Sequence, residues 1–243
     1  MCGQPVYGNS PYCILHIELP PDVTDPLYNK IKRAKDDKIK EIMQNGIMQN
    51  GDFDFEGAIL PAINLSNYRK LGKQVRFTDA IIKGDLSLGG LEINGNLVFT
   101  NAIICGRAAF NKITIHNAFF EDAEICKDLD FNMATIGRKE KVEKNWTEGI
   151  ARFSRVKLGR DALFDKVTIF KEADFSQASI GRYVSFGSYL DDNVAQIQGN
   201  VIFDGATIGD SVNFSKRFIE NCPHCIGKAY NTDGFMDFGG AKI

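Results

Sequence analysis

Cysteine and histidine carry most of the chemistry available to this chain of 243 residues, which has six Cys and three His. Cys2, Cys13 and His16 stand in CGQPVYGNSPYCILH as C-x10-C-x2-H. Two soft sulfurs and an imidazole within one short segment are ligands that zinc takes. Cys222, His224 and Cys225 form CPHC, a C-x-x-C pair suited to thiol–disulfide exchange or to a second metal knuckle. Exchange needs the first Cys at a helix N-terminus, where its pKa falls. The flanking IGKAYNTDG is poor in helix formers, which favours a knuckle or a plain thiol pair. There is no G-x-S-x-G, no H-E-x-x-H and no phosphate-cradling Gly loop ahead of a helix.

These residues must be held by something, and composition narrows what that is. The chain is 44% hydrophobic and 25% charged, as a globular protein is, with a net charge of −2. That balance argues against nucleic acid as a partner. No apolar run is long enough for a membrane span. With no basic segment leading into an apolar one at the N-terminus, a cytoplasmic location is expected, and thiols or metal ligands rather than disulfides. Eighteen Phe against one Trp calls for a structural reason.

The reason is a repeat. Large apolar residues recur at steps of five or six: Phe77, Ile82, Leu88, Ile93, Phe99, Ile104, Phe110, Ile115, Phe120, Ile125, Phe131 and Ile136. They resume at Phe153, Leu158, Phe164, Ile169, Phe175, Ile180 and Phe186, then at Ile197, Phe203, Ile208 and Phe214, and again at Phe238 and Ile243. A small or branched residue usually stands two places earlier, as Ala173 does before Phe175. Neither the helical nor the strand period fits. A coil of four short sides does: positions 21 or 22 apart stack, Phe lines two opposite sides, and Ile or Leu lines the other two. Gly after the large residue, at Gly89, Gly137, Gly159, Gly181 and Gly209, is expected at positive φ in the corners. The spacing predicts about seven coils, hence a rod on the order of 34 Å long. A β-sandwich would need irregular turn clusters, and a triangular, bactofilin-like helix fits the five/six alternation less well than four sides.

The units ADFSQ (173–177) and ASIGR (178–182) resemble the pentapeptide-repeat family, whose unit is roughly Ala-(Asp/Asn)-(Leu/Phe)-x-x. The resemblance covers most of residues 53–243. It implies an all-β fold, a right-handed parallel quadrilateral β-helix. Residues 1–20 are also similar to a Cys/His segment that precedes some domains of this family and ends in a like YC-x-x-H. That segment has another Cys upstream; here Met1 precedes Cys2 directly, so a fourth zinc ligand is missing. CPHC also occurs in thiol oxidants of the thioredoxin fold, but the insertion that holds it here is too short for such a domain.

Residues 21–50 read as an amphipathic capping helix. It starts at Thr24-Asp25-Pro26 and carries Leu27, Ile31, Ala34, Ile39 and Ile42 along one stripe. The β-helix of 51–243 is expected to be interrupted at 66–74, 137–150, 187–194 and 215–235. Insertions in a solenoid leave as loops. The charged 137–150 loop holds Trp146, Lys144 and Lys141; its Trp either packs back against the coil flank or serves, with the two lysines, as a contact for a protein partner. MDFGGAKI (236–243) restarts the repeat without a cap, which is expected either of a fragment of a longer repeat protein or of an open C-terminal end covered by a second copy, a homodimer of the end-to-end kind that the resembled family forms. Cys105 and Cys126 follow inward Ile residues, 21 apart, and should be stacked, outward-facing neighbours.

The expectation that follows is a non-enzymatic structural or interaction module. Mimicry of DNA against a type II topoisomerase, known in the family, is one alternative. It needs an acidic surface, and residues 75–243 hold 22 acidic against 20 basic side chains. An oxidoreductase working through Cys222 and Cys225 is the other.

Overall fold

The structure, a computed structural model, describes residues 6–8, 10–49, 51–137, 149–187 and 195–214. Between Phe53 and Phe214 the described residues wind as a right-handed quadrilateral β-helix of seven coils. Three faces are parallel sheets of seven strands and the fourth is a sheet of six. Most strands are two residues long. A strand so short is stable only because the coils above and below pair with it in register, as Ile103–Ile104 does with Ile81–Ile82 and with Glu124–Ile125.

Alternation of side chains puts two residues per side into the interior. On the first face these are Ala118, Ala151 and Ala173 with Phe120, Phe153 and Phe175, all fully buried. Phe55, Phe77 and Phe99 stack in one column with centroids 4.8–4.9 Å apart. Phe110, Phe131, Phe164, Phe186 and Phe214 form a second column on the third face. The columns meet edge-on across the axis, as Phe110 and Phe120 do at 5.4 Å and 72°. Stacked rings along the axis and edge-on rings across it are the two arrangements that the ring quadrupole favours. Every inward position expected between Phe77 and Phe214 is buried.

Two expectations need correction. Residues 66–74 are not an interruption. Lys70–Leu71 pairs with Glu92–Ile93 as the first strand of the fourth face, and Leu71 is buried. The glycines after the inward Ile or Leu do not share a positive φ; of the five named, only Gly137 has one, at 104°. A Cβ on Gly181 would sit 2.3 Å from the Gly159 carbonyl oxygen, and one on Gly209 2.2 Å from that of Gly181. These corners need Gly because successive coils touch there. The left-handed corners lie two residues after the first-face and third-face apolar residue. Asp79, Asn101, Lys112, Asp122, Met133, Arg155, Lys166 and Gln177 hold φ of 56–61° there.

The 137–150 loop leaves and rejoins at one point. The added Cβ of Gly137 would lie 2.8 Å from the Gly149 Cα. Buried Asn117 clamps the return strand by accepting from the backbone N–H groups of Gly149 and Ile150 at 3.0 and 2.9 Å.

Helix α1, Pro26–Gln49, starts where Asp25 accepts from the Leu27 N–H at 2.7 Å. It covers the N-terminal end of the coil, packing on a short 3-10 turn (Ile14–His16) and on the first strands. Its buried stripe is Ile31, Lys35, Ile39 and Met43, while Leu27 is exposed. No helix among the described residues is long and apolar enough to cross a membrane.

Candidate functional site

The cluster with most chemistry among the described residues lies under this cap. Val6 is bridged to Cys13 in antiparallel fashion, and the Tyr7 N–H donates to the Tyr12 carbonyl at 3.0 Å. The 3-10 turn then brings His16 back to Cys13, Nδ1 to Sγ at 3.0 Å. The other ring nitrogen, Nε2, meets the Glu56 carbonyl at 3.1 Å. A carbonyl only accepts, so Nε2 carries a proton, and in the neutral imidazole Nδ1 then accepts from the Cys13 thiol.

Lys35 sits beside this pair, fully buried. Its ammonium donates to the carbonyls of Ile14 at 2.7 Å, Leu15 at 3.1 Å and Ile59, which uses all three donors. Burial lowers its pKa from 10.5 to about 8, and the nearby Cys13 opposes that fall. The position of the Ile59 carbonyl explains the arrangement. In the next coil the equivalent Ile81 donates its N–H backward to Ala58, and within a strand a residue's C=O faces the same way as its N–H. Ile59 therefore points off the open end, where no earlier strand exists, and Lys35 replaces that strand. His16 does the same for Glu56.

Cys13, His16 and an orienting carbonyl have the connectivity of an activated thiol. Cys13, however, is 5% exposed, beneath the cap and closed to a substrate. Toward a metal the pair fits better: Nδ1 and Sγ are adjacent, and the Nε2–H···O=C bond orients the ring as in ligated imidazoles. Among the described residues no group of three or more metal-binding side chains forms. Of the other residues expected from sequence, Cys2, Trp146, Lys144, Lys141, Cys222, His224 and Cys225 lie outside the described residues. So does the C-terminal end on which a homodimer was expected. Cys105 and Cys126 are exposed, on adjacent coils of the second face.

The flank offers an open groove of about 420 Å³ on the third face, lined by Arg107, Asn111, Lys112, Asp130, Asn132 and Met133. Charges along this edge are paired between coils. Arg107 meets Asp130, Arg160 meets Asp128 at 3.3 Å, and Arg182 grips both oxygens of Asp161 at 2.8 and 2.7 Å. Local sequence patterns do not mark these pairs, because their partners are 21–32 residues apart and meet only through the coil. Comparison with protein-family models, curated proteins and solved structures finds no match to the chain.

Proposed function

We propose that the chain is a pentapeptide-repeat-type scaffold that binds a protein partner through its flanks and loops and catalyses no reaction. The observation that carries this reading is the filled interior. Phe and Ile or Leu from every side meet at the axis, and the Phe columns are in continuous contact through the described coils. Catalytic sites are usually concave and water-excluding, whereas the features here that could engage another molecule are surfaces. Asn117 fastens the returning end of the 138–148 segment and the Gly137 N–H donates to the Ile115 carbonyl at its start, so both flanks sit on a rigid coil, a suitable base for a partner contact through Trp146, Lys144 and Lys141. The Arg–Asp pairs along the third face weigh against mimicry of DNA, since each neutralises an acidic group that such a stripe would present. Under the cap, Cys13 and His16 are the pair that would hold zinc, with Cys2 as a third ligand.

The test is to replace residues 138–148 by a short Gly-containing link. The expected result is an intact β-helix by circular dichroism that no longer retains a partner captured by the wild-type chain. Unchanged capture would remove the loop from the interface. Substrate turnover that disappears with Cys222→Ala would overturn the non-enzymatic reading.

A further inference from the structure

Cys105 and Cys126 occupy the same position in successive coils, one residue beyond the register pair Ile104–Ile125. Both are free and exposed. The coil fixes their spacing: Cys105 donates its N–H to the Ile82 carbonyl at 2.8 Å, and Cys126 donates to that of Ile104 at 2.9 Å. The same column reads Lys83 above Cys105 and Gly159 below Cys126, so among the described residues the two sulfurs stand together with no third sulfur next to them in the column. They sense each other: burial pushes the Cys126 thiol above its ordinary range, with Cys105 and Glu124 adding to the rise.

We propose that Cys105 and Cys126 form a two-sulfur site for a soft monovalent cation of the copper(I) class. Paired strands are about 4.8 Å apart. The two side chains are within hydrogen-bond reach of each other, so one ion can bridge the two sulfurs with the coils where they are. The strand spacing also lies within the Cα range of a disulfide, about 4.4–6.8 Å, but a disulfide needs an oxidant and cation binding does not. Thiolate pairs select copper(I) over harder ions. Binding is a proton exchange with no change of oxidation state. Two thiols and one copper(I) give a copper dithiolate of charge −1 and two protons released to solvent. Lys83, next in the column, stands on the side where it offsets that charge.

The experiment is an anaerobic copper(I) titration of the full chain against a chromophoric copper(I) chelator, reading equivalents bound. Cys105→Ser and Cys126→Ser should each lose one equivalent relative to wild type, and the double variant should lose no more than either single. Cys105→Ala, with an unchanged circular dichroism spectrum, separates loss of the ligand from loss of the fold. Wild-type copper content in either single variant overturns the site. Loss of two equivalents in the double variant also overturns it, by showing two independent thiols. So does peptide mapping that finds the pair already joined as a disulfide in protein purified under reductant.

Discussion

Phe175 lies between Phe153 and Phe203 in a single column, 4.9 Å from each ring centroid and within 15° of parallel to both. It also meets Phe164 edge-on at 5.4 Å and 82°. Truncation therefore removes contacts in three directions, and the coils cannot collapse into the space because their backbones are tied above and below. Phe175→Ala should lower stability by about 3–5 kcal/mol, read from urea unfolding. A change near zero would show that the column is not the core.

Gly181 and Gly205 are both corner residues and should respond differently. At Gly181 an added methyl meets the Gly159 carbonyl oxygen at 2.3 Å, so coils must separate. At Gly205 its nearest neighbour is Gln177 Cγ at 3.5 Å, and only φ of +66° opposes it. Gly181→Ala should cost about 3 kcal/mol, and Gly205→Ala about 1 kcal/mol. Equal losses in thermal unfolding would contradict the assignment of close approach to one corner and backbone strain to the other.

Met133 holds φ of 60° while 49% exposed, so its side chain contributes little packing to set against the strain. Asn accepts the left-handed region more readily than Met does. Met133→Asn should raise stability by about 0.5–1 kcal/mol, visible as an increase in Tm. A decrease would mean that Met133 makes packing contacts worth more than the strain.

The five/six spacing makes the inward residues legible because burial acts on the side chain itself. It says nothing about backbones, and the two corrected readings both concern backbone. The side at Lys70–Leu71 escapes the pattern because Arg69, not a small or branched residue, stands two places before Leu71. The role of Gly181 escapes it because close approach and positive φ select the same residue. The left-handed corners show no composition signal, since Lys112 and Met133 adopt them as Asp79 does. Lys35 is hidden for another reason: a charge inside an apolar stripe reads as the edge of the stripe until the carbonyls it serves are in place. Cys13 and His16 are legible as a pair; the Glu56 carbonyl that orients them is not.

Lys35 makes a pH prediction whose sign follows from the fall in its pKa from 10.5 to about 8. Below about pH 8 the lysine is protonated in both states, and the native protein bears the full penalty of a buried charge. Between about pH 8 and 10.5 the native state sheds its proton first, the unfolded chain binds more protons, and stability rises with pH. The gain is up to about 3 kcal/mol. Other groups titrate in this window, so the measurement is the difference between wild type and Lys35→Met. At pH 7 the variant should be less stable by about 2–4 kcal/mol, because buried carbonyls lose their donor. Its deficit should grow from pH 8 to 10.5. A difference independent of pH would show that the lysine keeps an ordinary pKa.

The N-terminal cap performs two separable tasks, and a pair of variants distinguishes them. Ile31, Ile39 and Met43 of α1, with Ile14 and Leu15 before it, cover the apolar end of the first coil. Lys35 and His16 occupy the edge carbonyls of Ile59 and Glu56. An uncovered end presents both a hydrophobic surface and unpaired strand edges, the combination that templates association between chains. Deleting residues 1–50 removes both protections and should yield soluble oligomers or aggregate by light scattering. The double variant His16→Ala, Lys35→Met keeps the helix over the apolar end while freeing the two carbonyls. It should stay monomeric but unfold at lower urea concentration. A truncated chain that remains monomeric and as stable as wild type would show that the first coil needs no cap. Aggregation of the double variant to the same extent as the truncation would place the protection in the two polar contacts rather than in the helix.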